Sequence, residues 1–459
     1  MTAPAPGVVA SAALPPAAIP PAAGGSRFSR GRAVAPPYRS STRRRGWGEL
    51  EGWRIIAALG IVAIHVWQHS WGLHPGFTPP PYGLFPYVQS LDLFVDLFFV
   101  VSGLVLAYPY LKALIDDPHQ AHVDGFRGFM VQRFLRVAPV YYAILIVVWS
   151  ARNFGVRTAD WLDLVEHLAF LQWVDPRRIF YSIGPAWSVA VEFWMYLFIP
   201  ALFFAARPLA RRISSRRGRA AAGAVLPLVL IGISFAFKIV GKAVWHVPYT
   251  NHAYWYSMPS KLDDFAIGLL LALAVALIGP RRMGLPASLL CRVAGVTGLV
   301  AVVARRYHGN PVAYFNVFEW FDIFGHTLAA LAFAVLLLPA VVGRRRDPVN
   351  RVIGARPFVV AGGFTYALYL LHEPLLAPLT ALRILGRGSG DMVRNWFTVL
   401  PLSFALAVVL YLLIEWPMVR IRASFDRSTG GSRNYYPHLA GVHVDREGPV
   451  QRNLVPVPE

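Results

Sequence analysis

The sequence predicts an all-α polytopic membrane protein of about ten transmembrane helices, with both termini in the cytoplasm. Three observations predict it. Hydrophobic residues make up 56% of the chain and charged residues only 15%, a balance foreign to a soluble domain of this size. The apolar residues gather into segments long enough to cross a hydrocarbon core of about 30 Å. The net charge of +20 lies in Arg-rich stretches between alternate segments, not in one basic patch suited to nucleic acid.

Residues 1–46 are rich in Ala, Pro and Arg and cannot bury enough apolar surface to fold, so a disordered cytoplasmic N-terminus is expected. Its basic residues follow the apolar stretch and prolines interrupt it, the wrong order for a signal peptide. Residues 47–424 hold the membrane domain, and residues 425–459 read as a polar cytoplasmic tail. Spans are expected at Trp53–Ser70, Leu91–Leu111, Phe134–Trp149, Ser188–Ala206 and Ala220–Val240. The second half adds Leu262–Ile278, Leu289–Ala304, Phe321–Val342, Phe358–Leu382 and Trp396–Ile414. The shorter stretch His167–Val174 is broken by Gln172 and ends at Asp175 and Pro176, which reads as interfacial or re-entrant. Arg and Lys concentrate at the N-terminus and in Lys112–Arg136, Arg207–Arg219, Arg281–Arg282, Arg344–Arg356 and Arg420–Arg427, whereas Trp71–Ser90 carries none. By the positive-inside rule, the first group faces the cytoplasm. No paired Gly/Pro-broken spans mark two matching halves, which speaks against an alternating-access carrier. The lone Cys291 excludes an internal disulfide framework and a thiolate metal cluster, and its apolar surroundings suggest packing.

Polar residues inside the spans carry the functional argument. In the first span Arg54 and His65 are eleven residues apart, which returns them to nearly the same helix face. At about 1.5 Å per residue they are separated by roughly 16 Å, so an Arg at the membrane edge puts an imidazole near the midplane. That position marks a functional group or an interhelical hydrogen-bond partner. Arg133 and Arg136 share a face at the start of the third span, as a forked phosphate clamp or as ordinary positive-inside charge. Asp92 and Asp96 stack at the start of the second span, which also carries Ser102 and Gly103, a pair that packing alone explains. In the fourth span Ser188 and Glu192 share a face beside Trp187, which suits an aromatic belt. Lys261, Asp263 and Asp264 open the sixth span. Tyr369 and His372 share a face of the ninth, where His372, Glu373 and Pro374 form a polar break. Glu415 ends the last span within reach of arginines. Together these residues point to a polar chamber served from the cytoplasm.

Several segments, in this order, resemble the acyltransferase-3 family of integral-membrane bacterial O-acyltransferases. They are the Arg54-to-His65 spacing, Asp96–Ala107, RFLR at Arg133–Arg136, WSVAVEFW at Trp187–Trp194, KLDDFAIG at Lys261–Gly268, YALYLLHEP at Tyr366–Pro374 and IEWP at Ile414–Pro417. Lys261 stands where the family often has Arg. The resemblance implies transfer of an acyl group, often acetyl, from acyl-CoA to a hydroxyl of a carbohydrate, glycolipid, peptide or macrolide-like acceptor. It also implies that His65 is catalytic, that Arg54 supports it, and that Arg133 and Arg136 handle donor or substrate. His65, Arg54 and Glu192 make the expected catalytic set; Arg133, Arg136, Ser102, Trp187, Ser188, Asp263, Tyr369 and His372 are the expected substrate contacts. The chemistry is consistent, because an alcohol needs a base near neutral pH and a thioester's developing oxyanion needs fixed donors. Arg54, Ser102 or Ser188 are candidates for those donors, and His65 serves either as general base or as a nucleophile forming an acyl-imidazole. No metal-binding spacing and no nucleophile elbow occur, so no metal or permanently bound cofactor is expected, with acyl-CoA as co-substrate. The competing reading is a transporter or flippase of a polar lipid or sugar precursor, with His65 in a proton relay.

The topology has a direct check. After replacement of Cys291, a cysteine in Trp71–Ser90 should react with an impermeant thiol reagent on intact cells, and one in Arg207–Arg219 only after lysis. The opposite pattern would reverse the orientation.

Overall fold

The computed structural model describes residues 47–71, 85–119, 123, 125–156, 158–279, 283–306, 320–343, 347–388 and 391–421. The expected disordered N-terminus, the tail 425–459, Arg281–Arg282 and most of the Trp71–Ser90 loop lie outside the described residues. Among those described, regular structure is helical apart from an isolated bridge between Met283 and Gly343.

Helix α1 (Gly48–Trp71) is followed by α2 (Phe85–Gln89), a 3-10 turn at Ser90–Leu93, α3 (Phe94–Asp116) and α4 (Phe126–Asn153). Then come α5 (Trp161–Leu168), α6 (Ala186–Met195), α7 (Phe198–Arg212), α8 (Arg216–Ala243) and the single turn α9 (His252–Trp255). The second half holds α10 (Met258–Ile278), α11 (Leu285–Arg306), α12 (Trp320–Val342) and the short α13 (Pro348–Ile353). It ends with α14 (Arg356–Gly362), α15 (Thr365–Leu371), α16 (Leu376–Ala381) and α17 (Met392–Leu410), which runs on through a π-helical turn at Tyr411–Glu415. Starts follow capping chemistry. Asp160, Ser215 and Asp347 each accept a hydrogen bond from a backbone N–H of the first turn of α5, α8 and α13.

Among the described residues, eight helices or helix pairs are long and apolar enough to cross a membrane: Gly48–Ser70, Tyr87–Asp116, Phe126–Asn153, Ala186–Arg212, Arg216–Ala243, Leu285–Arg306, Trp320–Val342 and Met392–Ile421. The other two expected spans are also helical, but each departs from a plain apolar rod. The Leu262–Ile278 segment lies in α10, whose first turns carry Lys261, Asp263 and Asp264. The Phe358–Leu382 segment is divided among α14, α15 and α16, with turns at Gly363–Phe364 and at His372–Leu375. Pro374 has no N–H to donate, so the polar break seen in the sequence becomes a break in the helix.

The stretch after α4 does not span. Helix α5 turns Trp161, Leu162, Val165 and Leu168 outward while Asp163 and His167 are fully buried. His167 Nδ1 meets Asp163 Oδ1 at 3.1 Å, and Ser182 donates to Asp163 Oδ2 at 2.5 Å. The polar side faces the protein and the apolar side faces out; of the expected stretch His167–Val174, only His167 and Leu168 belong to this helix and the rest is turns.

Helix α10 is buried along nearly its whole length and packs against α3, α8 and α12. Its closest approach to α3 is glycine on glycine. A Cβ added at Gly103 would stand 2.5 Å from the Phe265 carbonyl oxygen and 3.0 Å from the Gly268 Cα. Backbone atoms cannot swing aside, so small residues let these two helices touch. Gly103→Val should therefore lower the melting temperature in detergent, with a destabilisation of about 1–3 kcal/mol as for other overpacked sites. Gly232→Ala, where an added Cβ meets nothing within 4 Å, should not. Equal melting of the Gly103 variant and the wild type would refute the close contact.

Candidate active site

Five segments turn one face each toward a common cavity of about 120 Å³. From α3 come Val95, Phe98, Phe99, Ser102, Val105 and Leu106, a stripe repeating every three or four residues. Helix α4 adds Arg133, Arg136 and Val137; α6 and the turn after it add Ser188, Val189, Glu192 and Tyr196; α1 adds Arg54. Gly362, Thr365, Tyr366 and Tyr369 close the wall from the broken region. Three guanidiniums, one carboxylate and three phenols thus converge on a space walled mainly by apolar side chains. Such a place holds an anion and orients the rest of a ligand by hydrogen bonds.

The cations are positioned by specific neighbours. Arg54 Nη1 lies 3.2 Å from Glu51 Oε1, one turn back on the same helix. Arg133 is only 6% exposed, with its guanidinium 5.4 Å from the centre of the Phe129 ring. Arg136 forms an ion pair with Glu415 and lies over the Tyr366 ring at 5.9 Å. On the opposite wall the Ser188 and Tyr369 hydroxyls are 2.7 Å apart, and each also lies 3.1 Å from the Pro185 carbonyl oxygen. Two hydroxyl hydrogens serve these three contacts, so one hydroxyl donates to the carbonyl and the other to its neighbour, and the group sits at the cavity edge.

The structure brings together Arg54, Ser102, Arg133, Arg136, Ser188, Glu192 and Tyr369 among the residues singled out in the sequence. It places the others elsewhere. His65 does not line the cavity. Its Nδ1 is 2.6 Å from His372 Nε2, and the His372 ring in turn lies 6.0 Å, centre to centre, from Tyr369 on the cavity wall. His372 is therefore behind the wall, fully buried, and touches His65. Trp187 is buried and stacked on Tyr256 at 4.5 Å, inside the bundle instead of in an exposed aromatic belt. Asp263 also lies off the cavity. It accepts from Lys238 at 2.7 Å and from Ser234 at 2.9 Å, and Thr327 donates to it as well.

Asp263 belongs to a second polar cluster. Lys261 lies 3.4 Å from Asp96 and 3.2 Å from Asp264, while His326 Nδ1 is 2.8 Å from the other Asp96 oxygen. Arg306 grips Asp92 through two contacts of 2.9 Å, so this aspartate meets a guanidinium. These groups join α3, α8, α10, α11 and α12. Lys238, His326 and Arg306 were not singled out in the sequence, because each is one polar residue on an otherwise apolar or terminal turn. Tyr196 and Tyr366 were also missed, although Tyr196 follows Glu192 by four residues and Tyr366 precedes Tyr369 by three, on the same faces. Among the described residues, no group of three or more His, Cys, Asp or Glu side chains has the arrangement to hold a metal.

The placement of Asp263 separates a strut from a substrate contact. Asp263→Asn leaves Lys238 buried without its carboxylate and should destabilise the protein by about 3–5 kcal/mol. Lys238→Met combined with Asp263→Leu should recover much of that loss, with the donor KM unchanged in the folded fraction. A raised KM at unchanged melting temperature would instead make Asp263 a substrate ligand.

Comparison with known proteins gives a consistent picture. Residues 47–416 match the model of the acyltransferase-3 family, described as an acyltransferase domain. The chain is 23% identical to the acyltransferase MdmB of Streptomyces mycarofaciens, over 81% of this chain and 91% of that protein. It is 19% identical to the peptidoglycan O-acetyltransferase OatA of Listeria monocytogenes and 21% identical to the O-acetyltransferase OatA of Staphylococcus aureus. Those two alignments cover 80% of this chain but only 55% and 56% of the relatives. No solved structure matches.

Proposed function

The chain belongs to the acyltransferase-3 family, and we propose that it moves an acyl group, acetyl in the first instance, from acyl-CoA to an acceptor hydroxyl, with His65 as general base. The observation that carries this reading is the convergence of Arg54, Arg133 and Arg136 with Glu192 on one cavity. The name O-acetyltransferase borne by the OatA relatives supports acetyl as the group moved. Carbohydrate, glycolipid and macrolide-like alcohols are the acceptor classes that fit an enzyme reaching its substrate within or beside a bilayer. Membership in a family of acyltransferases sets aside a carrier that leaves its substrate unmodified.

The reaction balances with the groups present. His65 takes the proton of the acceptor hydroxyl, and the oxygen attacks the thioester carbonyl. The C–S bond breaks, and the departing thiolate takes the proton back from the imidazolium, leaving an ester and free CoA. No metal or redox partner is needed. Guanidiniums at the cavity meet the phosphate groups of the donor. His65 is eleven residues beyond Arg54 on α1, about 16 Å at the rise of a helix. An extended pantetheine arm is a linker suited to that gap, with its phosphates held at the arginines and its thioester delivered toward the imidazole.

Arg133 gives a cleaner test than Arg136, because removing Arg136 also strands the buried Glu415. Arg133→Gln should raise the dissociation constant for acetyl-CoA about tenfold to a hundredfold, the worth of a charge-assisted hydrogen bond. Arg133→Lys should restore only part of it. The measurement is equilibrium binding of acetyl-CoA to detergent-purified protein, followed by incubation with radiolabelled acetyl-CoA and cell extract to find the labelled acceptor. Normal donor binding by Arg133→Gln would move the phosphate site elsewhere, and labelling of no acceptor by the wild type would remove acetyl-CoA as donor.

A further inference from the structure

General base chemistry at His65 needs one ring nitrogen with a free lone pair, and a neutral imidazole has one such nitrogen at a time. The contact between His65 and His372 decides which. Their ring planes are tilted by only 13°, their centroids are 4.9 Å apart, and the His65 Nδ1 to His372 Nε2 distance is 2.6 Å. Because a ring nitrogen lies roughly an ångström from its own ring centre, these distances add up only if both centroids and both nitrogens fall nearly on one line. The rings are therefore joined edge to edge in one plane by a hydrogen bond; they do not lie face to face.

The direction of that bond follows from the far side of His372. Its Nδ1 lies 3.2 Å from the Leu368 carbonyl oxygen. A carbonyl only accepts, so His372 Nδ1 carries the hydrogen. His372 is fully buried, and the Glu373 carboxylate beside it accepts instead from the Gly184 backbone N–H at 3.3 Å. With no carboxylate against it among the described residues, the ring is neutral. Its Nε2 is then an acceptor, and His65 Nδ1 must be the donor. The remaining nitrogen of His65, Nε2, holds the lone pair.

We propose that His372 is the positioning residue for His65, fixing it in the Nδ1–H form so that Nε2 is the nitrogen that removes the acceptor's proton. This rests on the base reading of His65 given above. The ordered chain Leu368 carbonyl, His372, His65 does the orienting that a carboxylate does for many catalytic histidines, without bringing a charge into the site. One turn beyond His65, His69 provides an internal contrast. Thr380 donates to the Leu376 carbonyl at 2.8 Å and so accepts from His69 Nε2 at 2.7 Å, which puts a hydrogen on the nitrogen that His65 leaves bare.

Two measurements test the proposal. In protein labelled with isotopic histidine, the carbon and nitrogen shifts of His65, assigned by loss of its signals in His65→Ala, should show the Nδ1–H tautomer and those of His69 a protonated Nε2. His372→Gln keeps an acceptor for the His65 Nδ1–H and should retain kcat within about tenfold. His372→Leu keeps the bulk but no acceptor, and should lose about a hundredfold in kcat with little change in the donor KM. An Nε2–H signal for His65 would overturn the proposal, as would equal activity in the Leu and Gln variants. The base reading fails separately, if His65→Ala turns over normally; the tautomer measured by resonance would still judge the role of His372.

Discussion

A charged side chain held in an apolar bundle must be met by another polar group, and that constraint organises the packing here. Asp96 and Asp264 are countered by Lys261, Asp263 by Lys238 and Asp92 by Arg306. Each pair links different helices or adjacent turns of α10, so a failure of any partner leaves a desolvated charge of the opposite sign. The glycine contact between Gly103 and Gly268 lets α3 approach closely enough for Lys261 on α10 to reach Asp96. Small residues and buried charges therefore depend on each other: the first sets the helix separation and the second makes any other separation costly.

That arrangement also gives α3 two faces with different tasks. Asp96, Val100, Gly103 and Leu104 turn toward α10 or its charges, whereas Val95, Phe98, Phe99 and Ser102 line the cavity. One helix thus carries a structural network and a candidate active site on faces that its 3.6-residue period keeps apart. The cavity inherits a rigid back wall, so the arginines of α4 and the serine and glutamate of α6 need only be held against it. At the far end of the chain a π-helical turn, Tyr411–Glu415, carries Glu415 to Arg136. An inserted residue in a helix rotates the turns beyond it, and such bulges recur where a polar side chain must be aimed.

Much of this was legible in the residues. Spacing alone placed Arg133 with Arg136 and Ser188 with Glu192 on shared faces, and the structure turns both pairs toward the cavity. The spans were legible from hydropathy, and the interruption near Pro374 from its polar residues. Spacing cannot tell which neighbour a face meets. Trp187 and Asp263, expected at substrate, lie off this cavity, against Tyr256 and Lys238. His372 shares a helix face with Tyr369, but the turn that ends α15 leaves the tyrosine on the cavity wall and the imidazole against His65, 307 positions away in the chain. Partners at such separations are fixed by how helices pack, and one chain read without relatives carries no signal for them.

The break after α15 shows why a polar interruption belongs in this place. A continuous helix from Arg356 to Ala381 would satisfy its own carbonyls and present only side chains to α1. Helix α15 ends at Leu371, and Pro374 supplies no N–H to the Leu370 carbonyl one turn behind it, so the helix cannot continue its ladder there. Leu368 keeps its backbone bond from His372 N at 3.2 Å and accepts the His372 ring as well. A carbonyl with spare accepting capacity is what holds the His372 ring, and the ring is what holds His65. The second lone pair of the Leu368 carbonyl, left over from the helix's own ladder, thereby controls a side chain on a different helix.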